Sequence, residues 1–256
     1  MEIKNVQFIN AITVNSEVQM CSDNVHIQPI MPETKTLALE VYNPKSKISK
    51  KINLILKRIV DIIGAIVGII FLIPITIIVF IANIISGDFG PLFYSHERIG
   101  KNGKHFKMYK FRSMCVDSAE RLKKLLEEDE EARKEWEENQ KLDNDPRITP
   151  IGKFIRKYSI DELPQFLNVI KGDMSLVGTR PPTVDEYEQY QLHHMGRLSS
   201  KPGITGLWQV SGRSDMTDFE KIVELDIRYI SNWSLSEDIR ILWRTVKKVI
   251  HGEGAE

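Results

Sequence analysis

The sequence predicts a small, mostly helical domain with a few short strands, joined to an apolar helical hairpin that enters a membrane and returns. Three observations support this fold class. Residues 62–82 carry no charged side chain, and this uncharged run is long enough for a membrane-inserted segment. Past residue 146, short helical segments alternate with Gly/Pro turns. Residues 235–251 place apolar side chains at helical spacing, with basic side chains between them.

Composition excludes several classes of protein. The 256 residues contain 35 basic and 35 acidic side chains, so net charge gives no reason to expect a nucleic-acid partner. The two cysteines, Cys21 and Cys115, are far apart in the chain. Neither a disulfide framework nor a zinc site is expected from them, and a reducing compartment suits the chain.

Changes in composition divide the chain into three parts. Residues 1–50 mix polar and apolar side chains without a motif, and we expect a leader of unknown role, with a small accessory element as the alternative. Residues 51–90 contain the apolar run, which begins too late in the chain to be a signal peptide. Residues 91–256 form the remaining domain.

The apolar run could form either a hairpin or a single spanning helix. Pro74 lies near its centre and should kink or break a helix there. Each half then reaches roughly 18 Å, too short to cross about 30 Å of hydrocarbon. Basic clusters flank both ends, at 45–58 and 98–112, which favours a hairpin with both ends in the cytoplasm. A proline-kinked spanning helix remains the alternative.

Asp61 stands at the mouth of this run, where an unpaired carboxylate would be costly. We expect it to pair with Arg58 or Lys57, one turn earlier.

The sequence also predicts the structure of several other segments. Residues 117–141 should form a charged, solvated helix, and helices are expected at 216–231 and 235–251. The last of these could lie in the membrane interface or pack against the core. A short strand is expected at 207–210 between turns, and His193-His194 should lie on the surface without metal-ligand spacing.

An acidic pair in the segment SIDELPQ at 159–165 is the strongest candidate for chemistry. Ser159 and Glu162 have the spacing of a capping box, and Pro164 is tolerated only near a helix start. Asp161 and Glu162 should therefore lie in a first helical turn, where free N–H groups favour ionised carboxylates. The simpler alternative is that they only cap the helix.

Four basic residues are candidates for phosphate binding. Arg156 lies just before the acidic pair, and Arg180 is in the Gly/Pro turn at 178–182. The planar guanidinium group of arginine suits bidentate contacts with phosphate. Lys110 and Arg112 alternate with apolar residues, as in a strand. Each could instead be an ordinary solvated side chain.

No single motif is specific, but their combination and order are. The motifs are Asp61 and Pro74 in the apolar run, KFRSM at 110–114, DPRIT at 145–149, SIDELPQ at 159–165, GTRPP at 178–182, PGITG at 202–206 and GR at 212–213. Together they resemble the bacterial sugar transferases, the monotopic phosphoglycosyl transferases that begin capsule, exopolysaccharide and glycoprotein glycan synthesis. The resemblance covers about 57–250. In that family a serine often precedes the central proline, whereas this chain has Ile73.

The resemblance implies an α/β fold: a small, mostly helical cytoplasmic domain with a re-entrant membrane helix and interfacial amphipathic helices. It implies that Asp161 is the nucleophile and that Glu162 is the ligand of Mg²⁺. It also implies that Arg156 and Arg180 contact phosphate and that Lys110 and Arg112 line the same basic pocket.

The resemblance further implies a UDP-sugar donor, undecaprenyl phosphate as acceptor and membrane lipid as surroundings, at the cytoplasmic face of the bacterial inner membrane. It does not identify the sugar, and a homo-oligomer stays open. Two rival functions remain: a non-enzymatic membrane anchor or scaffold, and a transmembrane transferase that acts in one step through a ternary complex.

Overall fold

The structure is a computed structural model, and it describes residues 47–139, 142, 145–212 and 218–251. The described residues belong to one compact unit. Residues 1–46, most of the predicted leader, lie outside the described residues, as does Arg213 of the last motif.

Helices dominate the described part of the chain. In chain order they are α1 (Lys47–Ile85), α2 (Ser118–Glu128), α3 (Glu130–Asn139), α4 (Pro150–Lys157), α5 (Gln165–Lys171), α6 (Val184–Glu188), α7 (Leu207–Gly212), α8 (Phe219–Ser231) and α9 (Leu235–His251). Short 3₁₀ helices occur at Lys101–Gly103, Ile160–Glu162 and Leu192–Ser199. The predicted helices at 216–231 and 235–251 are confirmed as α8 and α9. Within the charged segment predicted at 117–141, the described residues form two helices, α2 and α3, separated at Asp129.

The strands form two small sheets. They are β1 (Phe93–Ile99), β2 (His105–Phe111), β3 (Ser175–Val177) and β4 (Gly203–Thr205). β1 and β2 pair as an antiparallel hairpin, and β3 and β4 pair in parallel. The strand predicted at 207–210 is wrong, because those residues form α7 and the strand lies just before them. The segment is short, so periodicity could not separate helix from strand.

α1 contains the whole apolar run, and Ile52–Ile85 is long and apolar enough to cross a membrane. The predicted break into two separate helices at Pro74 is not observed, because α1 continues through the proline. Beside it, the Thr76 hydroxyl donates to the Leu72 carbonyl at 2.7 Å. Such hydrogen bonds are typical of helices that bend rather than end.

One face of α1 is buried along nearly its full length. The buried residues recur at helical spacing on both sides of Pro74 and are Asp61, Ala65, Gly68, Leu72, Val79 and Asn83. Ala65 belongs to the main core, with Met174 and Ile241 among its members, whereas Leu72 and Val79 pack with Phe111 and Ile155. Most large apolar side chains on the other faces are exposed. α1 therefore joins two core clusters and presents an apolar surface outward.

Two glycines allow α1 to approach the domain closely. A Cβ atom on Gly64 would lie 2.5 Å from the Leu176 side chain, and one on Gly68 would lie 2.4 Å from the Phe166 ring. Real Cβ atoms essentially never make contacts that short, so a larger side chain at Gly64 would displace the Leu176 side chain, and one at Gly68 would collide with the Phe166 ring and strain the packing of α1 on α5.

Asp61 does not have the partner that the sequence predicted. Its carboxylate accepts the Ser175 hydroxyl at 2.8 Å and the Leu176 N–H at 2.9 Å, whereas Lys57 and Arg58 reach other groups. Backbone and hydroxyl donors from β3 satisfy this buried carboxylate instead of a cation from the previous turn.

The two basic residues before Asp61 also bind the domain. Lys57 Nζ lies 2.7 Å from the Asp238 carboxylate of α9 and donates to the Val177 carbonyl at 2.9 Å. The Arg58 guanidinium donates to the carbonyl of Val169 at 2.7 Å, at the end of α5. Cations commonly satisfy the free carbonyls at a helix C-terminus.

The other end of α1 is held by a second ion pair. Asp88, three residues beyond the helix, accepts two hydrogen bonds from Arg112, at 2.9 and 2.7 Å. Both ends of the apolar helix are therefore attached to the same domain by polar contacts.

Candidate active site

The acidic pair lies in the short 3₁₀ helix Ile160–Glu162, between α4 and α5. The expected position in a first helical turn is confirmed, but the predicted capping box is absent. Ser159 has a left-handed conformation (φ 52°, ψ 25°), and its side chain makes no cap hydrogen bond. A positive φ is uncommon for serine and directs the chain sharply from α4 into the turn. Strained residues of this kind are frequent at functional sites.

Lys110 from β2 contacts both carboxylates. Its Nζ lies 3.1 Å from Glu162 Oε1 and 3.8 Å from Asp161 Oδ2. Asp161 is only 8% exposed, so its charge is largely removed from water. A nearby ammonium group partly offsets the cost of holding two adjacent carboxylates there.

Arg156 approaches the pair from α4. Burial lowers the pKa of Arg156, and the negative charges of Asp161 and Asp145 oppose that shift. Its Nε donates to the Ser113 hydroxyl at 2.8 Å. Because an arginine keeps its charge in proteins, this side chain supplies a fixed cation beside Asp161.

These groups line one cavity of about 490 Å³. The lining combines residues of the β1–β2 hairpin, the segment 113–118 and the acidic turn. Among the six predicted site residues, the wall includes Asp161, Glu162, Lys110, Arg112 and Arg156. This volume is in the range that holds a small organic ligand, roughly 300–1,000 Å³.

Arg180 does not line this cavity. Its Nη1 lies 2.9 Å from both carboxylate oxygens of Glu186, and the same carboxylate accepts the Thr183 N–H at 2.7 Å. Burial raises the pKa of Glu186, but the charge of Arg180 and these hydrogen bonds outweigh it and hold the pKa below its ordinary value. Arg180 is thus held in a defined position at the start of α6.

Arg98 connects Arg180 with the cavity. Its Nη1 is 3.8 Å from Glu186, and burial followed by the charge of Arg180 lowers its pKa. The charges of Glu186, Tyr94 and Glu162 oppose that shift. A row of cations therefore extends from the cavity wall to Arg180.

Arg112 has a structural role in addition to its place on the cavity wall. Besides the two bonds to Asp88, it donates to the carbonyls of Met114, at 2.9 Å, and Pro91. These contacts fix its guanidinium group and attach the loop after α1 to β2. Its contact with phosphate stays a prediction.

Tyr94 and Arg98 are not among the predicted site residues, although a signal for them exists in the sequence. In β1 the residues at 94, 96 and 98 alternate with those at 93, 95 and 97, and Tyr94 pairs with Lys110 in β2. Side chains two residues apart in a strand share a face. A strand prediction at 93–99 would have placed Tyr94 opposite Lys110 and Arg98 on the same strand face as Tyr94, four residues further along.

His194 is buried, which corrects the expectation that both histidines lie on the surface. With His193 and Glu220 it forms a cluster that could hold a metal ion by distance alone. However, His194 Nδ1 accepts the Gln191 N–H at 3.0 Å, so the neutral ring carries its proton on Nε2, 2.9 Å from Glu220. A protonated nitrogen offers no lone pair, and the cluster is better explained as hydrogen bonding.

Magnesium fits the acidic turn by donor chemistry. Mg²⁺ prefers carboxylate oxygens and is commonly bound by one or two of them together with substrate phosphates. Glu162 and Asp161 both line the cavity, which leaves room for a diphosphate beside them.

Comparison with known proteins identifies the family of this chain. Residues 52–252 match the family model described as bacterial sugar transferase. A galactosyl transferase CpsE from Streptococcus agalactiae is 54% identical over 82% of this chain and 45% of its own length. The undecaprenyl-phosphate galactose phosphotransferase of Salmonella typhimurium is 49% identical over 82% of this chain and 44% of its own. A UDP-galactose-lipid carrier transferase from Erwinia amylovora is 47% identical over 86% of this chain and 45% of its own.

The chain spans a little under half the length of these three relatives. The family model covers most of the chain, including the apolar helix, the acidic turn and the basic strand. The chain therefore belongs to the bacterial sugar transferase family.

Proposed function

We propose that this chain transfers a sugar 1-phosphate from a UDP-sugar to undecaprenyl phosphate, which yields polyprenyl-diphospho-sugar and UMP. The observation that carries the proposal is the Asp161–Glu162 pair, which shares a cavity wall with Lys110 and Arg156. Two relatives agree with it, since one is an undecaprenyl-phosphate galactose phosphotransferase and another a UDP-galactose-lipid carrier transferase. The reaction would be the first membrane step of capsule, exopolysaccharide or glycoprotein glycan synthesis.

In the first step, Asp161 attacks the β-phosphorus of the UDP-sugar. A bond forms between a carboxylate oxygen and phosphorus, and the bond to the bridging oxygen breaks. UMP leaves with the electron pair, and the enzyme holds an aspartyl phosphosugar. Lys110 and Arg156 stabilise the developing charge, since both are positioned before the reaction.

In the second step, an oxygen of the lipid phosphate attacks the same phosphorus and the Asp161 carboxylate leaves. Dividing the transfer through a covalent intermediate replaces one difficult step with two easier ones. Arg180, held by Glu186 next to Arg98, would contact a phosphate at the far end of the basic row.

Glu162 would hold Mg²⁺, with Asp161 and the donor diphosphate nearby. The ion would neutralise charge on the diphosphate when it is bound. Lys110, 3.1 Å from Glu162, would hold that carboxylate in position on the cavity wall.

The enzyme would work at the cytoplasmic face of the inner membrane. The exposed apolar faces of α1 supply the contact with lipid. α9 adds a second apolar surface, because it buries Ile241 in the core while Ile239, Trp243, Val246 and Ile250 are exposed. One side of α9 would then pack against the core, and the other side would lie in the membrane interface.

Two measurements separate this function from its rivals. Purified chain should release UMP from at least one member of a panel of UDP-sugars. Release over many turnovers should require undecaprenyl phosphate. A scaffold would release none from any sugar. A one-step transferase would give intersecting double-reciprocal lines instead of the parallel lines of a ping-pong mechanism.

A further inference from the structure

A second groove adjoins the acidic turn. It has a volume of about 300 Å³, and its walls come from the acidic turn, α5, β4, α7 and α9. Glu162 and Ser159 line both this groove and the catalytic cavity. The two spaces therefore meet at the acidic turn.

The groove is mostly apolar away from that turn. Leu163, Phe166 and Ile204 line one part, and Val246 and Ile250 of α9 line another. A soluble nucleotide sugar is not expected to bind such a surface, because its polar groups would lose their hydrogen bonds to water. A long hydrocarbon chain would gain from leaving water in the same place.

The groove is also continuous with the surfaces that would face lipid. Val246 and Ile250 are 51% and 72% exposed, and they continue the apolar face of α9 that carries Ile239 and Trp243. On the other side, Phe166 packs against Gly68 of the membrane helix α1. A molecule held in the membrane could therefore enter the groove without crossing water.

One basic residue stands near the groove's polar groups. Lys248 lines it, with Nζ 3.4 Å from the Gln209 carbonyl. At the acidic turn, Lys110 lies 3.1 Å from Glu162 and reduces the repulsion that an incoming phosphate would meet.

We propose that this groove binds the first isoprene units of the polyprenyl phosphate acceptor, so that the lipid phosphate reaches Asp161 from the side of Glu162. The inference rests on the proposed function and adds the place of the acceptor. The nucleotide sugar would use the polar cavity, and the two substrates would approach the acidic turn through two different spaces. A ligand with one anionic end and a long apolar chain matches the groove. Its phosphate would lie near the acidic turn, close to Lys110, and its chain would lie along the apolar walls.

Two isoleucines on the same exposed face of α9 give a matched test. Ile250 lines the groove, whereas Ile239 does not, and both are exposed. In detergent micelles, Ile250→Ser should raise the KM for undecaprenyl phosphate about tenfold, because buried methylene contacts are lost. The KM for the UDP-sugar should change less than about twofold. Ile239→Ser should leave both values near those of the wild type.

A binding measurement keeps the test independent of turnover. Farnesyl phosphate carrying a diazirine should photolabel peptides from 245–250 or 163–166, and undecaprenyl phosphate should compete for the site. Equal KM effects of the two isoleucine variants, or labelling elsewhere, would overturn the proposal. Equal competition by phosphatidylglycerol would show a groove for ordinary acyl chains instead. If labelling occurs as expected but no UMP is released, the proposed reaction fails while the groove stands.

Discussion

Asp161 combines two properties that a nucleophile of this kind needs, namely removal from water and a nearby positive charge. It is 8% exposed, its Oδ2 lies 3.8 Å from Lys110 Nζ, and Arg156 is close enough to interact with it. The left-handed Ser159 directs the turn that brings these groups together. At the scale of single residues, the site is therefore built from local backbone geometry and a cation from a distant strand.

Replacing Asp161 with asparagine keeps its size but gives a far poorer nucleophile. We expect Asp161→Asn to lower kcat by roughly 10³-fold or more without a change in thermal stability. Wild-type chain incubated with UDP-sugar and no lipid should gain one sugar phosphate in intact mass, and the variant should not. Near-normal turnover by Asp161→Asn would refute the covalent mechanism and leave this carboxylate a structural role.

Glu162 should contribute to activity through its negative charge and through its carboxylate oxygens, which would be ligands of Mg²⁺. Glu162→Gln should lower activity by roughly 10²-fold or more, and excess chelator should stop the wild type until Mg²⁺ is restored. Glu120→Gln, an exposed change on α2, serves as a control and should have no effect. Full turnover in chelator would remove the metal from the mechanism.

Most of the candidate site could be predicted because its motifs are local. Arg156, Asp161 and Glu162 lie within seven consecutive positions of the sequence, so spacing alone relates them. Arg98 and Glu186 were missed because they meet through a hairpin and a helix start far apart in sequence. Local spacing does not relate residues so far apart, and the alternation in β1 becomes a signal for Arg98 only once that strand is predicted.

At the scale of elements, the DPRIT segment shows how a motif outside the acidic turn supports the site. Asp145 accepts hydrogen bonds from the backbone and side chain of Arg147, with Nη2 at 2.6 Å. The turn also pairs Ile148 with Met114 and places the Thr149 N–H against the Ser113 carbonyl. Ser113 in turn holds Arg156, so the buried ion pair positions the site without touching substrate.

This buried pair predicts a large loss of stability on truncation. Arg147→Ala leaves Asp145 buried without its cation, which typically costs about 3–5 kcal/mol. For a chain of this size we expect Tm to fall by roughly 10 °C. Arg121→Ala breaks the exposed Arg121–Asp117 pair, at 2.8 Å, and should barely change Tm. Similar Tm values for the two variants would contradict the structural role of the buried pair.

The same pair predicts a pH dependence. Burial raises the pKa of Asp145, but hydrogen bonds from Arg147 outweigh it and hold the pKa below the ordinary value of 3.8. A lowered pKa in the folded state stabilises the fold above the unfolded pKa, and this contribution is lost as pH falls through the folded pKa. The Tm difference between wild type and Asp145→Asn should therefore be constant near neutral pH and shrink below about pH 4.

The sequence predicts long helices whose apolar residues repeat at helical spacing, but it does not correctly predict the type of very short elements. The apolar spacing of 235–251 predicts α9, since its 17 residues repeat the helical pattern several times. α7 has six residues, which is less than two turns, and its sequence predicts a strand. Its two buried side chains, Trp208 and Val210, lie two positions apart, which is also the spacing of one strand face.

At the scale of the whole molecule, the main question is how α1 sits in the membrane. Its domain contacts extend from Lys57 to Asp88 along one side, a length of about 46 Å for a straight helix. A helix that crossed the bilayer would have about 20 residues in hydrocarbon. The charged domain attached along that same side would then have to enter the hydrocarbon too, at a prohibitive cost. We therefore expect α1 to enter and leave the same leaflet, bent at Pro74, with its exposed apolar faces in lipid.

Cysteine accessibility in cells tests this topology. After Cys21 and Cys115 are changed to serine, single cysteines are placed at Ser16 in the leader and at the exposed Lys104 beyond α1. If both ends of the helix stay on the cytoplasmic side, a membrane-impermeant maleimide should label neither site in intact cells and both after permeabilisation. Labelling of the leader site alone in intact cells would establish a spanning helix. In that case the polar contacts of Lys57, Arg58 and Asp61 with the domain could not all persist, because that end of α1 would lie across the bilayer from the domain.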